Sequence, residues 1–355
     1  MKKLERLRAK MHDLELDGVV VYNELNQRYL SDFAFSDGAL FITGENAYLI
    51  TDFRYFEMAK TRADSAFEVI MPEKRREKII ELARLSECRR IGIEGDFLPY
   101  STYEKLKENF SFAEVVNISD MIEDLRKLKD AEEILKIEKA QNITDLAFSQ
   151  LLSVINPSKM TEIDLAAELE YIMKKNGADG FAFDTIAVSG DASALPHGTP
   201  RNEILKKGFL TLDFGAKFDG YCSDMTRTLV IGRADTEMKK IYDTVLLAQT
   251  TVLEFLRAGA LASEADKLAR DIINKDYNGC FGHSLGHSLG LYIHESPSLS
   301  KNNSGYRVRT GEIYTVEPGI YLYGKYGVRI EDMVKIEDTG VYNFTKSPKE
   351  MIEIL

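Results

Sequence analysis

The segment Phe209-Leu-Thr-Leu-Asp213-Phe-Gly-Ala-Lys-Phe-Asp219-Gly220-Tyr-Cys-Ser-Asp224-Met-Thr-Arg-Thr-Leu-Val230 leaves few choices of local structure. Asp219-Gly220 is a strong two-residue hairpin signal, because glycine accepts the positive φ of a type I′ turn without steric cost. With that turn in place Phe218 faces Tyr221, and the register runs on so that Asp213 faces Thr226. Asp224 is two residues from Thr226 and so projects from the same sheet face as Asp213. Diagonal neighbours of this kind lie roughly 7–8 Å apart, within reach of a shared ion. Two carboxylates projecting together into a protein interior repel each other and resist ionisation, a penalty that a bound cation removes. Ordinary strand-end aspartates, solvated or paired with Arg227, are the competing account of the hairpin taken alone.

Two further clusters follow. In Gly282-His283-Ser-Leu-Gly286-His287-Ser-Leu-Gly290-Leu-Tyr-Ile-His294-Glu295, three of the five histidines of the chain fall within twelve residues. The interleaved glycines disfavour a helix, so His283 and His287 are not a helical metal pair. An irregular loop entering a strand, with close backbone approach, is expected. The third cluster is Tyr314-Thr-Val-Glu317-Pro318-Gly319-Ile-Tyr, then a turn near residues 324–327, then Val328-Arg329-Ile330-Glu331-Asp332. Glu317 ends a mostly apolar strand before an expected Pro-Gly turn, and Arg329 and Glu331 are expected on one strand face. A buried acid needs a partner. For Glu331 the bland candidate is Arg329 itself. Four carboxylates with one or more imidazoles suit Mn²⁺ first, with Co²⁺ or Zn²⁺ also compatible and Mg²⁺ disfavoured by the histidine.

Upstream the pattern is different. Leu4, Leu7, Met11 and Leu14 recur at helical spacing, and strands are expected over 19–22, 39–43, 47–51, 67–71, 90–93 and 114–118, between charged helical stretches. This is an α/β domain of residues 1–125 ahead of an α+β domain of residues 126–355. Asp130 with Glu133 opens a long helix that Asn156-Pro157 stops, and Thr161 caps a second. Further helices are expected over 236–256 and 263–274. A chain of 355 residues accommodates two such domains. Its net charge of −11 argues against nucleic acid as a partner. No run approaches the ~20 apolar residues of a membrane span. Cys88, Cys222 and Cys280 form no C-x-x-C pair and suit a reducing compartment, so a cytoplasmic location is expected.

The quoted motifs resemble those of the pita-bread metallopeptidases: aminopeptidase P, prolidase and, at greater distance, methionine aminopeptidase. A fourth similar stretch runs Phe183-Asp-Thr-Ile-Ala-Val-Ser189-Gly190 and on to Leu195-Pro196-His197-Gly198. The resemblance covers essentially the whole chain and leans to the proline-specific branch through D-G-Y-x-S-D-x-T-R-T. It implies a pita-bread (creatinase/aminopeptidase) catalytic domain behind a smaller creatinase-like α/β domain. It also implies two divalent metal ions. Asp213 would bind one ion, Asp224 and Glu331 would bridge both, and His287 and Glu317 would complete the second. The reaction it implies is hydrolysis of Xaa-Pro bonds in small peptides with proline at the second position. The nucleophile would be a metal-bridging hydroxide, Glu317 the general base, His197, His283 and His294 substrate or oxyanion contacts, and Arg329 a support. A homodimer is implied as well.

Two positions depart from the family pattern. Ser288 follows His287 where glycine is usual. Ser298 stands four residues after His294, where some prolidases carry an arginine for the substrate carboxylate. A metal-independent creatinase-like amidinohydrolase and a non-catalytic peptidase-like binding protein are the competing uses of this fold, but both would have lost ligand residues that this chain retains.

Overall fold

Alternating apolar strands and charged helices build the N-terminal unit of the computed structural model, which describes residues 3–355. This unit runs to Arg126, and a second runs from Lys127 to Leu355. The strands of the first are β1 (Gly18–Val21), β2 (Ala39–Thr43), β3 (Ala47–Ile50), β4 (Glu68–Ile70), β5 (Arg90–Ile93) and β6 (Glu114–Asn117). They form one mixed sheet in the order β4-β3-β2-β1-β5-β6. Every residue of β1 and β2 is buried, as a sheet covered on both faces requires. The first helix, Lys3–Asp13, buries Leu4, Leu7 and Met11. Leu14, expected on the same stripe, lies beyond the helix end and is exposed.

In the second unit the long helix Ala131–Val154 starts at a reciprocal capping box. Asp130 Oδ1 accepts from Glu133 N and Glu133 Oε2 from Asp130 N, each at 2.9 Å. Thr161 and Asp164 cap the helix Glu162–Lys175 in the same way. The strands that follow are β7 (Gly180–Phe181), β8 (Ile186–Ser189), β9 (Gly208–Phe214), β10 (Ala216–Phe218), β11 (Tyr221–Cys222) and β12 (Met225–Ile231). The helices Thr236–Phe255 and Ala262–Ile273 come next. After them run β13 (Gly286–Ser288), β14 (Glu295–Leu299), β15 (Ile313–Val316), β16 (Gly319–Leu322), β17 (Tyr326–Arg329), β18 (Asp332–Glu337), β19 (Gly340–Asn343) and β20 (Glu353–Ile354).

These strands form two main sheets, β20-β12-β9-β8 and β14-β13-β15-β18-β19, with the smaller β11-β10-β7 and β16-β17 beside them. Each main sheet is backed by one helix pair. Ile143, Phe148, Leu165 and Leu169 pack with Leu210, Leu212 and Phe214 of β9. Ile241, Val245, Ala265 and Ala269 pack with Tyr314, Val316 and Val334 of β15 and β18. Helix pair on sheet thus occurs twice, and the polar ends of β9, β12, β13 and β15 supply the site. No described helix is long and apolar enough to cross a membrane.

Candidate metal centre and active site

The hairpin forms in the expected register. Phe218 pairs with Tyr221 and Asp213 with Thr226. Asp219 and Gly220 take φ of +45° and +78°, both positive as a type I′ turn demands. Between tip and base the ribbon pinches at Gly215, where a Cβ would stand 1.9 Å from the Ser223 carbonyl oxygen. The other sheet has the same device. A Cβ on Gly286 would stand 2.0 Å from the Thr315 carbonyl oxygen, one residue before His287. Each glycine therefore permits a backbone approach that sets the depth of a neighbouring polar side chain.

Asp213, Asp224, His283, His287, His294, His197, Glu317, Arg329 and Glu331 all line one cleft of about 600 Å³. Ligand atoms of Asp224, His287 and Glu331 lie within 4.8 Å of one another. His287 Nε2 is 3.5 Å from Asp224 Oδ2 and 3.5 Å from Glu317 Oε1. Hydroxyls orient the acids: Thr226 Oγ1 donates to Glu331 Oε2 (2.6 Å) and Thr315 Oγ1 to Glu317 Oε1 (3.1 Å). Burial drives the carboxyls of Asp224 and Glu331 well above the usual range. Glu331 adds to the effect at Asp224, and Glu317 adds to it at Glu331. Burial likewise pushes Glu317 up to about 8 against the opposing charge of Arg329. The same desolvation lowers His283 and His287 to about 4, so both rings are neutral near pH 7.

Arg329 Nη2 donates to Asp213 Oδ2 (2.6 Å), its Nε to Thr226 Oγ1 (2.9 Å) and its Nη1 to Tyr321 Oη (2.8 Å). His283 Nδ1 lies 2.9 Å from the Ser284 carbonyl, which only accepts, so the ring proton is on Nδ1. Its Nε2 therefore accepts from the Tyr321 hydroxyl, 2.8 Å away, which itself accepts from Arg329. His197 and His294 are exposed to the cleft, with the His294 ring edge-on to His287 at 4.5 Å between centroids.

Two local expectations are corrected. Arg329 closes β17 and Glu331 precedes β18, so the chain changes sheets between them and they share no strand. The partner of Arg329 is Asp213, while Glu331 takes Thr226. Nor does Glu317-Pro318 reverse the chain: β15 passes through these two residues directly into β16. Arg227, weighed as a partner for the hairpin acids, instead pairs with buried Asp332 (2.8 Å) and donates to the Glu331 carbonyl (2.6 Å).

Comparison with known proteins resolves the family. Residues 135–338 match the model of metallopeptidase family M24, and residues 3–128 match the creatinase/prolidase N-terminal domain. The chain belongs to metallopeptidase family M24. It is 38% identical to an Xaa-Pro dipeptidase of Pyrococcus furiosus, covering 99% of both chains. Among solved structures, an Xaa-Pro dipeptidase from Bacillus anthracis superposes with a TM-score of 0.95 at 40% identity, covering 99% of each chain. An X-Pro aminopeptidase from Thermotoga maritima gives 0.92 at 35% identity over 100% of each. The chain is thus a peptidase with the pita-bread fold behind a creatinase-type N-terminal domain.

Membership of M24 implies divalent metal ions, and the cleft of this M24 chain fits them. His287 Nδ1 lies 3.1 Å from the Ser288 carbonyl, which only accepts. The ring proton is therefore on Nδ1, and Nε2 presents a lone pair to two carboxylate oxygens. When Asp224 and Glu317 are ionised, these three atoms have no proton to share among themselves, the arrangement that a cation satisfies. Asp213 Oδ1 is likewise buried without a hydrogen-bond partner. Thr226, Thr315 and Tyr321 stand inside the quoted motifs, but sequence reasoning assigns them no role in the site. The first two stand two residues from Asp224 and Glu317, so strand alternation was the signal that placed them on the ligand face. Tyr321 carries no such signal, because it reaches the site from β16.

Proposed function

We propose that the chain is a two-metal exopeptidase that hydrolyses Xaa-Pro bonds in small peptides. The ions would be held by Asp213, Asp224, His287, Glu317 and Glu331, with manganese the first choice and cobalt or zinc the alternatives. The observation that carries this reading is the convergence of the His287 Nε2 lone pair with Asp224 Oδ2 and Glu317 Oε1. What bound ions supply in such a site is Lewis acidity, which lowers the pKa of a water and polarises the scissile carbonyl. Proline specificity is supported by the names of the similar proteins and by the apolar wall of Phe183, Ile186, Pro196 and Pro200.

The remaining steps belong to this chain's own residues. Glu317, its Oε1 held by Thr315, keeps Oε2 to take the proton of the attacking water and return it to the leaving prolyl nitrogen. His197 and His294, exposed to the cleft, donate to the oxygen of the tetrahedral intermediate. His283 has both ring nitrogens engaged and so positions the loop, together with Tyr321 and Arg329. The same reading carries a homodimer in the cytoplasm, which light scattering and fractionation test.

The deciding assay is hydrolysis of Ala-Pro beside Ala-Pro-Ala by chelated protein, before and after addition of Mn²⁺, Co²⁺ or Zn²⁺. Metal-restored cleavage of the dipeptide alone assigns a dipeptidase, and of the tripeptide an aminopeptidase. Cleavage of neither with any ion removes the proline reading and favours an amidinohydrolase or a binding protein.

A further inference from the structure

Five carboxylates line the cleft: Asp184, Asp213, Asp224, Glu317 and Glu331. The last four belong to the proposed ion group and are neutralised by it and by Arg329. Asp184 is different. It is exposed, and no hydrogen bond or ion pair engages it among the described residues. The one Lys or Arg in the lining, Arg329, is already committed to Asp213, Thr226 and Tyr321. The uncommitted charge that the cleft offers a substrate is therefore a single negative one.

Its position is set by the sheet. Ile186 pairs with Asp213 across β8 and β9, and Asp184 precedes Ile186 by two residues. At the rise of an extended chain that places its Cα at most roughly 7 Å further along, a span that the four-carbon stem of a lysine can cross. The neighbours Phe183 and Ile186 line the same wall, so such a stem would lie against apolar surface with its ammonium at the carboxylate.

We propose that Asp184 is a specificity-determining residue, which biases the cleft toward peptides carrying a cationic side chain and against acidic ones. The inference rests on the Xaa-Pro exopeptidase reading. An exposed charge pair a few ångströms apart is worth up to about fivefold, so attraction of a cationic side chain and repulsion of an acidic one together give about a tenfold preference, and salt screens it.

The test is kcat/KM for Lys-Pro, Ala-Pro and Glu-Pro on the metal-loaded wild type, Asp184→Asn and Asp184→Lys, at low and at 1 M salt. Each rate is divided by that of Ala-Pro on the same protein. In the wild type Lys-Pro should exceed Glu-Pro by about tenfold, with the excess in KM and reduced by salt. Asp184→Asn should bring the ratio close to one and Asp184→Lys should invert it. A ratio that is the same in all three proteins overturns the role of Asp184 while leaving the peptidase reading intact. Failure of the wild type to cut Ala-Pro sinks that reading instead. In that event thermal shifts with reduced-bond analogues of the three dipeptides still decide the charge preference: stabilisation by the lysyl analogue over the glutamyl one, lost in Asp184→Asn, supports it, and equal shifts overturn it.

Discussion

Nε2 of His287 lies 3.5 Å from Oε1 of Glu317, and once that carboxyl is ionised neither atom has a proton for the other, because the ring proton is committed to the Ser288 carbonyl. Asp224 Oδ2 is also 3.5 Å from that Nε2, and a cation among the three turns mutually repelling acceptors into ligands. Chelation should therefore lower the melting temperature, and Mn²⁺ at a hundredfold over its Kd should restore about 2.7 kcal/mol. His287→Ala should cut bound metal, measured by elemental analysis, and abolish turnover. Full metal content with normal turnover in that variant would remove His287 from the ligand set.

Tyr321 should behave as a positioning residue. Its hydroxyl accepts from Arg329 and donates to His283, so Tyr321→Phe leaves a buried guanidinium hydrogen and an imidazole nitrogen without partners. The cost in stability should be about 1–3 kcal/mol. If Tyr321 acts through Arg329 on Asp213, kcat should fall about tenfold or more while KM stays within about threefold, because no substrate contact is removed. A loss of stability with unchanged kcat would make the network merely structural.

The sequence made the acids readable and their partners much less so. Asp213 and Asp224 follow from one hairpin turn, since alternation at period two fixes which side chains share a face. Glu331 was harder. Its approach to Thr226 depends on the chain changing sheets between β17 and β18, and no local propensity encodes such a crossing. The pairing of Arg329 with Asp213 spans 116 positions for the same reason. The strands of the N-terminal sheet were legible from apolar runs alone, whereas Leu14 was misplaced because helical periodicity does not announce where a helix stops.

Gly215 and Gly286 should be intolerant of even one methyl group. Each Cβ would meet a backbone carbonyl oxygen at 2 Å or less, and a backbone atom cannot turn aside as a flexible side chain can. Gly215→Ala should cost about 3 kcal/mol or more in denaturant unfolding. It should also weaken Mn²⁺ binding, because the hairpin carrying Asp213 and Asp224 must open. Gly286→Ala should do the same through His287. Wild-type stability for either variant would mean that the paired strands can part there without disturbing the ligands.

Glu162 contributes to the acid limb of the unit, beside buried Asp332, whose carboxyl, despite that burial, is also held down by Arg227 and Lys349. Glu162 is fully buried and accepts from Ser189 N and Oγ and from Arg201 N, Nε and Nη2 at 2.7–2.9 Å. Burial alone would raise its carboxyl, but the Arg201 and Ser189 donors outweigh that and hold it below its ordinary value of 4.5. A depressed folded-state pKa contributes stability that is complete above the unfolded value and is lost as pH falls through the folded one. The urea midpoint should therefore drop below about pH 4.5. Glu162→Gln should cost about 2–3 kcal/mol at pH 7, because it leaves the half-buried guanidinium only the more distant Glu203 and Asp191 carboxylates and sets an amide against donors. It should also flatten the acid slope. A variant with an unchanged slope between pH 5 and 3 would place the acid sensitivity elsewhere. Since Ser189 ends β8 and β8 pairs with the Asp213 strand, loss of this carboxylate should also slow turnover modestly at neutral pH.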